Sequence, residues 1–286
     1  MTMTTDIRQF CKETYEAVYA KKLESGQGAD KKETHAQKEA IKAAIMEAMR
    51  AFPAADTSEL WKIIYEIHVH HKSGIDNAET IAKVISADQS WKKSSGHAFE
   101  EMIKFLANEV LSGTGIEILL QRDLSVMLKE KTLANEPRDI SWLKEKVKGN
   151  VFDLYAVCAR KDGRKFCFGC IQSKTSIRDR VTRDREPSIQ AMQSYFWSTI
   201  IVLDGDFLKN QKFISMVNGG SSEFPENGWH GMYVFSDKHA QDRIYATDLE
   251  LKTFRDHAQK AARYWLSQRQ WFDQTWRAEI EFAADD

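Results

Sequence analysis

Apolar residues in the first third of the chain recur every three or four positions, the spacing of one face of an α-helix. Such stripes run through residues 10–19, 41–49 and 60–67. Glycine and proline are scarce here, and Pro53 falls where the second helix would end. The pattern therefore predicts a helical N-terminal module over residues 1–88.

One more helix follows, and the period then changes to that of strands. Ser94 or Ser95 would cap this helix. Later, Pro187 suits the first position of another helix, in a segment that runs to residue 203. The short apolar runs typical of strands are IEILL (116–120), VFDLYAVC (151–158), KFCFGCIQS (165–173), KFISMV (212–217), GMYVFS (231–236) and RIYAT (243–247). Residues 89–286 are therefore predicted to form an α/β (α+β) domain, a mixed sheet flanked by helices.

Residues 151–174 have the pattern of a β-hairpin, because Asp162 and Gly163 form a strong two-residue turn signal between two apolar runs. With this turn, Asp153 faces Gln172, and Lys174 lies diagonally two residues further on, on the same face of the sheet. A carboxylate in an apolar run needs a charged or metal partner when it is buried. A carboxylate, an amide and a lysine together indicate a site for a hard cation and a phosphate.

One carboxylate is too few for such a site, and two more are candidates. Glu186 stands just before Pro187, where the dipole of the predicted helix favours a negative charge. Glu100 lies in the first turns of the SGHAFEE helix, with Glu101 as the alternative. We predict that Asp153, Lys174, Glu186 and Glu100 form a centre for metal-dependent phosphodiester hydrolysis. The alternatives are a helix-start carboxylate at Glu186, a solvated lysine at Lys174, and a surface position for Glu100 or Glu101.

The charge of the chain is balanced, with 41 basic and 42 acidic residues. No global field attracts nucleic acid or an anionic membrane, so any nucleic-acid site must be local. Arg178, Asp179 and Arg180 are suited to a G·C step, since arginine binds O6 and N7 of guanine and aspartate accepts from N4 of cytosine. Arg183 and Arg185 are expected to contact phosphates. The alternative is an exposed loop whose charges neutralise one another.

Lys92 and Lys93 follow Trp91 and combine basic groups with an aromatic ring. They are candidates for a DNA contact beside the central bases. The alternative is a buried tryptophan next to two solvated lysines.

The cysteines and the N-terminal sequence indicate the cellular compartment that is expected for this protein. Cys158, Cys167 and Cys170 have neither the number nor the spacing of a disulfide framework or zinc ribbon, so we expect reduced core thiols. The N-terminus has no apolar core of signal-peptide type, and no segment approaches the ~20 apolar residues of a membrane span. A cytoplasmic protein is expected.

Several motifs resemble type II restriction endonucleases of the PD-(D/E)xK superfamily, in the branch that recognises CCGG. They are SGHAFEE, the aspartate of NVFDLY, and IQSKTSIRDRVTRDREPS, and the likeness extends to NEPRDI and NGWHGMYVF. The resemblance implies a mixed five-stranded-type sheet, Mg²⁺ dependence, and cleavage of double-stranded DNA at a palindrome with a CCGG core. It also implies W^CCGGW as the expected site, with four-base 5′ overhangs. A palindrome implies two-fold symmetry in the protein, so we expect a homodimer.

The resemblance also implies roles for individual residues. Asp153 corresponds to the metal-binding aspartate, although Phe152 replaces the proline that precedes it in the family, and Lys174 corresponds to the catalytic lysine. Gln172 stands where the usual acid of the motif would be. In the CCGG branch a following helix supplies that acid, and Glu186 is the residue so placed, as a second metal ligand with Asp153.

Two further elements follow from the resemblance. Glu100 corresponds to the glutamate of the upstream helix, with Glu101 as the fallback, and Arg178, Asp179 and Arg180 correspond to the element that reads CCGG. Two other functions stay open on the sequence alone. One is a repair or recombination nuclease of the same fold. The other is a sequence-specific DNA-binding protein that does not cut, which Gln172 in place of an acid would suit.

Overall fold

The computed structural model describes residues 2–25, 29–73, 78–176, 181–235, 241–269 and 272–279. The chain divides into two compact units, Met1–Met102 and Ile103–Asp286. The division falls inside a helix, Ala78–Val110, whereas the sequence pattern predicted a boundary at residue 88.

The N-terminal unit is helical, as its apolar period predicted. Its helices are α1 (Thr2–Ser25), α2 (Ala29–Ala51), α3 (Thr57–Ser73) and the first part of α4 (Ala78–Val110). Tyr15, Ile41 and Ile64 are fully buried between them, and the Tyr15 hydroxyl lies 2.8 Å from Nδ1 of His68. The core of this unit is therefore mainly apolar and includes the buried polar pair of Tyr15 and His68.

The predicted start of a helix at Ser94 or Ser95 is wrong. Helix α4 begins at Ala78, so both serines lie in its interior and are buried. The reason is packing, because Ala87 and Trp91 continue the buried stripe ahead of the serines. Buried contacts outweigh the preference of serine for a helix end.

The second unit is built on a mixed sheet. Its strands in the described residues are β1 (Ile116–Leu120), β2 (Leu154–Ala159), β3 (Lys165–Ser176), β4 (Trp197–Asp204), β5 (Gly231–Val234) and β6 (Ile244–Ala246). They lie side by side in chain order, so that the described sheet has six strands where five were expected. The pairs β1–β2 and β2–β3 are antiparallel, and the remaining pairs are parallel.

Helices cover both faces of this sheet. They are α5 (Gln121–Glu130), α6 (Pro137–Lys148), α7 (Val181–Gln193), α8 (Gln211–Asn218) and α9 (Lys252–Gln268). On one face, Phe152 and Tyr155 pack with buried residues of α5, α6 and α7. On the other face, Trp197 packs against Phe168 and against Phe254 of α9. The core therefore lies on both sides of the central strands.

The strand predicted at KFISMV is wrong, because residues 211–218 form α8. Phe213, Met216 and Val217 stand three and four positions apart, which fits one helical face. The Asn210 side chain accepts a hydrogen bond from the Lys212 amide at 3.0 Å and caps the helix. A short apolar run is ambiguous between helix and strand, and here the cap decides.

The helix predicted from Pro187 onward is also wrong at both ends. Helix α7 begins at Val181, with Pro187 in its interior, and strand β4 begins at Trp197. Strand β4 is buried on both faces between two parallel neighbours, which removes the alternation that marks a half-exposed strand. Arg183 and Arg185 consequently lie on a helix and not in a loop.

The β2–β3 hairpin has the predicted register at its open end. Leu154 pairs with Ile171, and the same register places Asp153 opposite Gln172. The predicted two-residue turn is wrong, since Arg160 pairs with Arg164 around a three-residue loop that contains Gly163 at φ 81°. The register shifts again between Ala156 and Val157. This bulge compensates for the longer loop and restores the predicted pairing near Asp153.

The cysteines of the hairpin are free and buried, as predicted. Cys158, Cys167 and Cys170 lie in the core, and burial raises the pKa of the Cys158 thiol to about 12. Such thiols are inert at neutral pH. In the described parts of the chain, no helix combines the length and apolar character needed to cross a bilayer.

Candidate active site

Lys174 and Asp153 meet at the open end of the hairpin. The Lys174 Nζ atom lies 3.9 Å from Oδ2 of Asp153. The same oxygen accepts a hydrogen bond of 2.7 Å from the Ser173 backbone amide, which orients the carboxylate. The two side chains are 30% and 26% exposed, so a ligand in solvent can reach them. The structure thus brings together the first two residues of the predicted site.

A second carboxylate at Lys174 comes from Asp184. Its Oδ1 atom lies 3.4 Å from the Lys174 Nζ atom, and its side chain is 25% exposed. Asp184 stands in the first turn of α7, where the helix dipole favours a negative charge. The sequence pattern did not indicate this residue, because the residues before Pro187 were expected to form a loop. A helix beginning at Val181 would have shown an acid in the first turn.

Gln172 occupies the place of the usual acid of the motif and is only 1% exposed. Its Nε2 atom donates to the backbone carbonyl of Asp184 at 2.9 Å. Its Oε1 atom accepts from the indole N–H of Trp229 at 2.8 Å. The side chain therefore joins the strand to helix α7 and to the segment before β5.

The predicted acid Glu186 does not pair with Lys174, and Glu100 belongs to the other compact unit. Glu186 is exposed on α7, and its Oε1 atom accepts from Nε2 of Gln190 at 3.3 Å. Glu100 lies on α4 in the N-terminal unit, where its Oε2 atom is 3.2 Å from Nδ1 of His97. The alternative to Glu100, Glu101, forms an ion pair with Lys38 inside the N-terminal unit. Among the described carboxylates of the second unit, Asp153 and Asp184 are the ones that pair with Lys174.

The predicted DNA-contacting residues divide into three groups. Arg178, Asp179 and Arg180 lie outside the described residues. Arg183 is exposed on α7, and Lys93 is exposed on α4. The side chain of Lys92 also lies outside the described parts. Trp91, next to these lysines, is buried against Trp61, with ring centroids 5.1 Å apart.

Arg185 contacts the protein itself. Its guanidinium donates to the carbonyl of Met216 at 3.2 Å and to that of Glu226 at 2.5 Å. It also lies 5.2 Å from the centre of the Phe224 ring. Partial burial lowers the pKa of Arg185 from its ordinary value. These contacts attach α7 to residues 216–228, where a Cβ on Gly228 would lie only 3.0 Å from Cγ of Arg185.

The donor set around Lys174 fits Mg²⁺. This ion takes oxygen ligands, keeps several waters, and is usually held by one or two carboxylates together with substrate phosphates. Asp153 and Asp184 supply two carboxylates from two different elements. No group of three or more histidine, cysteine or acidic side chains gathers in the described portion of the chain. A cation held by two carboxylates would complete its shell with water and phosphate oxygens.

The chain is similar to known restriction endonucleases over most of its length. The model of the family described as BsaWI restriction endonuclease type 2 matches residues 136–271. The crystal structure of a pre-specific restriction endonuclease BsaWI–DNA complex is 53% identical, with a TM-score of 0.70, and the match covers 96% of this chain and 99% of that one.

A second solved structure shares the fold. The crystal structure of a specific restriction endonuclease AgeI–DNA complex is 18% identical, with a TM-score of 0.59, and the match covers 88% of this chain and 91% of that one. No curated protein matches the chain. The resemblance to restriction endonucleases that the sequence motifs indicated, with BsaWI as an expected relative, is confirmed. The chain therefore belongs to the BsaWI family of type 2 restriction endonucleases.

Proposed function

We propose that this protein hydrolyses both strands of duplex DNA at a palindrome with a CCGG core, in a reaction that depends on Mg²⁺. The observation that carries the proposal is the position of Lys174 between two carboxylates, 3.9 Å from Asp153 and 3.4 Å from Asp184. Family membership supports sequence-specific cleavage. The cytoplasm is the expected location.

Each residue has a distinct role in the proposed reaction. Asp153 and Asp184 would hold Mg²⁺, which supplies Lewis-acid stabilisation of the departing 3′ oxygen when it is bound. Lys174 would donate hydrogen bonds from Nζ to the attacking water or to a phosphate oxygen. Hydrolysis forms a bond from the water oxygen to phosphorus and breaks the bond from phosphorus to O3′. The products carry a 5′ phosphate and a 3′ hydroxyl.

The proposed recognition element is the segment of Arg178, Asp179 and Arg180. Its side-chain types suit guanine and cytosine edges in the major groove. Arg183, which is exposed on α7, and the exposed Lys93 are the proposed phosphate contacts. We further propose W^CCGGW as the site and a homodimer as the active form, since a palindrome requires two equivalent readers.

Cleavage of defined substrates tests the proposal. A plasmid and duplex oligonucleotides with and without CCGG are incubated with Mg²⁺ or Ca²⁺, using the wild type and Asp153→Ala. We expect discrete cuts at one sequence, with Mg²⁺ only and with the wild type only. Arg178→Ala should lose specific binding and cleavage, and unchanged specificity in this variant would refute the assigned reader.

The same assay separates the two rival functions. Tight specific binding without cleavage would favour a non-cutting DNA-binding protein, and cleavage of branched or damaged DNA without a preferred sequence would favour a repair or recombination nuclease. The non-cutting alternative was motivated by the glutamine at position 172. Asp184 offers a carboxylate at Lys174 by another route, so this glutamine is no argument against catalysis.

A further inference from the structure

Gln172 has a buried amide with both ends engaged, two residues before Lys174. The indole N–H of Trp229 can only donate, and the carbonyl of Asp184 can only accept. These partners determine which way round the amide lies, with Oε1 toward Trp229 and Nε2 toward Asp184. Only a side chain that both accepts and donates satisfies the two partners at this buried position.

The first turns of α7 need an anchor outside the helix. Pro187 lies within α7 and has no N–H, so the carbonyl of Arg183, four residues before it, receives no helical hydrogen bond. In general, a proline ring inside a helix also crowds the carbonyl four residues earlier and weakens that turn. Asp184 is the next residue along the chain, and its carbonyl is the one that accepts from Gln172. The bond from Gln172 thus holds the weakened part of the helix to strand β3.

The anchored residue is the one whose carboxylate lies at Lys174. The backbone carbonyl of Asp184 is 2.9 Å from Nε2 of Gln172, and Oδ1 of Asp184 is 3.4 Å from Nζ of Lys174. Gln172 and Lys174 are alternate residues of one strand and point to the same face. A single strand therefore positions both the lysine and the backbone of the acid opposite it.

We propose that Gln172 is a positioning residue that holds Asp184 toward the metal site, in place of the acid usually found at this position of the motif. This inference rests on the proposed function, because it assumes that Asp184 binds the catalytic cation. A glutamate here would accept from Trp229 but, when ionised, would have no hydrogen for the Asp184 carbonyl. In the usual motif the strand carries the acid. In this protein strand β3 carries the anchoring amide of Gln172, and helix α7 carries the acid, Asp184.

Gln172→Met tests the proposal, since methionine has a similar length, cannot donate to the Asp184 carbonyl and is at most a weak acceptor for Trp229. The matched control is Ser188→Ala, which removes the 2.7 Å hydrogen bond between the Ser188 and Ser198 hydroxyls, a buried anchor of the same helix four residues beyond Asp184. Two quantities are measured, the affinity for Mn²⁺ by calorimetry with specific duplex DNA bound, and the Mg²⁺ concentration for half-maximal cleavage.

We expect Gln172→Met to weaken Mn²⁺ binding and raise the half-maximal Mg²⁺ concentration by about 10- to 100-fold, as for other residues that orient metal ligands. Saturating Mg²⁺ should restore part of the cleavage rate. Ser188→Ala should keep the metal dependence of the wild type, even where its melting temperature falls. Equal metal affinity in all three proteins, or an equal loss in both variants, would overturn the proposal.

Failure of the proposed function gives a different result. If the wild type binds Mn²⁺ but does not cut DNA with Mg²⁺, the proposed function fails, while weaker Mn²⁺ binding by Gln172→Met would still support positioning. If the wild type binds no cation, both fail. Should Gln172→Met not fold, Trp229→Phe removes the donor to Gln172 together with part of the buried ring, and should shift the metal dependence in the same direction. An unchanged dependence in that variant would contradict the proposal.

Discussion

Lys174 interacts with two acids that reach it from different elements. Asp153 precedes β2 and Asp184 belongs to α7, yet both carboxylates lie within 4.0 Å of the same Nζ atom. A lysine between two acids offsets their mutual repulsion until a cation arrives. The arrangement is therefore suited to a site in which Lys174 balances the two carboxylates before the proposed cation binds.

The first prediction separates the two acids of α7. Asp184→Asn should lower the rate of Mg²⁺-dependent cleavage by about 100-fold or more, because even residues behind metal ligands typically contribute about 10- to 100-fold. Glu186→Gln is the matched variant, with the same loss of charge two residues away on an exposed carboxylate. We expect it to cut at nearly the wild-type rate. If Glu186→Gln were the slower of the two variants, Glu186 and not Asp184 would be the metal ligand.

The second prediction concerns His230, which is buried and uses both ring nitrogens. Nδ1 accepts from the Ser198 amide at 3.0 Å, and Nε2 lies 2.7 Å from the carbonyl of Asp273. Burial lowers the pKa of His230 to about 3, from an ordinary value of 6.5. Between these two values the unfolded chain binds a proton that the folded chain excludes, so stability falls as the pH falls.

At pH 5 this histidine alone should lower the free energy of unfolding by about 2 kcal/mol relative to pH 7. Urea unfolding of the wild type and of His230→Gln at both pH values measures the effect. Glutamine can accept and donate without titrating, so the variant should lose less stability on acidification. Equal losses would show that His230 does not contribute.

At the scale of elements, the two arginines of α7 point in different directions, one to solvent and the other to the protein. Arg183 is exposed, whereas Arg185 donates to the carbonyls of Met216 and Glu226. A helix places residues two apart on different sides, which explains the division. The two described arginines of the charged run therefore have different surroundings.

The third prediction uses these arginines as a matched pair. Arg183→Ala should weaken DNA binding and reduce the slope of log Kd against log salt concentration by about 1, because one phosphate contact is lost. Arg185→Ala removes the same charge but should leave that slope unchanged. It should instead lower the free energy of unfolding by about 1–3 kcal/mol, through the carbonyls left without donors. Fluorescence anisotropy over a range of salt and urea unfolding provide the measurements. An equal change of slope in both variants would place Arg185 on the DNA as well.

At the scale of the whole molecule, a two-fold symmetric site on DNA calls for two active sites. The fourth prediction is that, with a palindromic CCGG duplex, the protein of 32.9 kDa sediments at twice this mass plus the mass of one duplex. Each subunit of the dimer should cut one strand. Mixed dimers of wild type and Asp153→Ala should therefore convert plasmid to nicked circles, whereas wild-type dimers linearise it. A monomeric complex that cuts both strands would contradict the prediction.

The amino-acid sequence by itself determined the features that depend on neighbours along the chain. The helical period of residues 10–67 was enough to predict the N-terminal unit. The apolar runs on either side of Asp162 and Gly163 were enough to predict the hairpin, because a hairpin is a local structure. Asp153 lies opposite Gln172 as predicted only because the bulge between Ala156 and Val157 offsets the longer turn.

Tertiary structure alone decided the features that depend on distant residues. Strand β4 lacks alternation because it is buried on both faces, and α7 begins before its proline, so the sequence indicated neither boundary. The contact of Arg185 with Glu226 joins residues 41 positions apart and attaches α7 to the segment before β5. The contact of Gln172 with Trp229, 57 positions apart, orients the amide that donates to Asp184 of α7. Asp184, and not Glu186, lies at Lys174 for that reason, since the rotation of a helix is set by what it packs against.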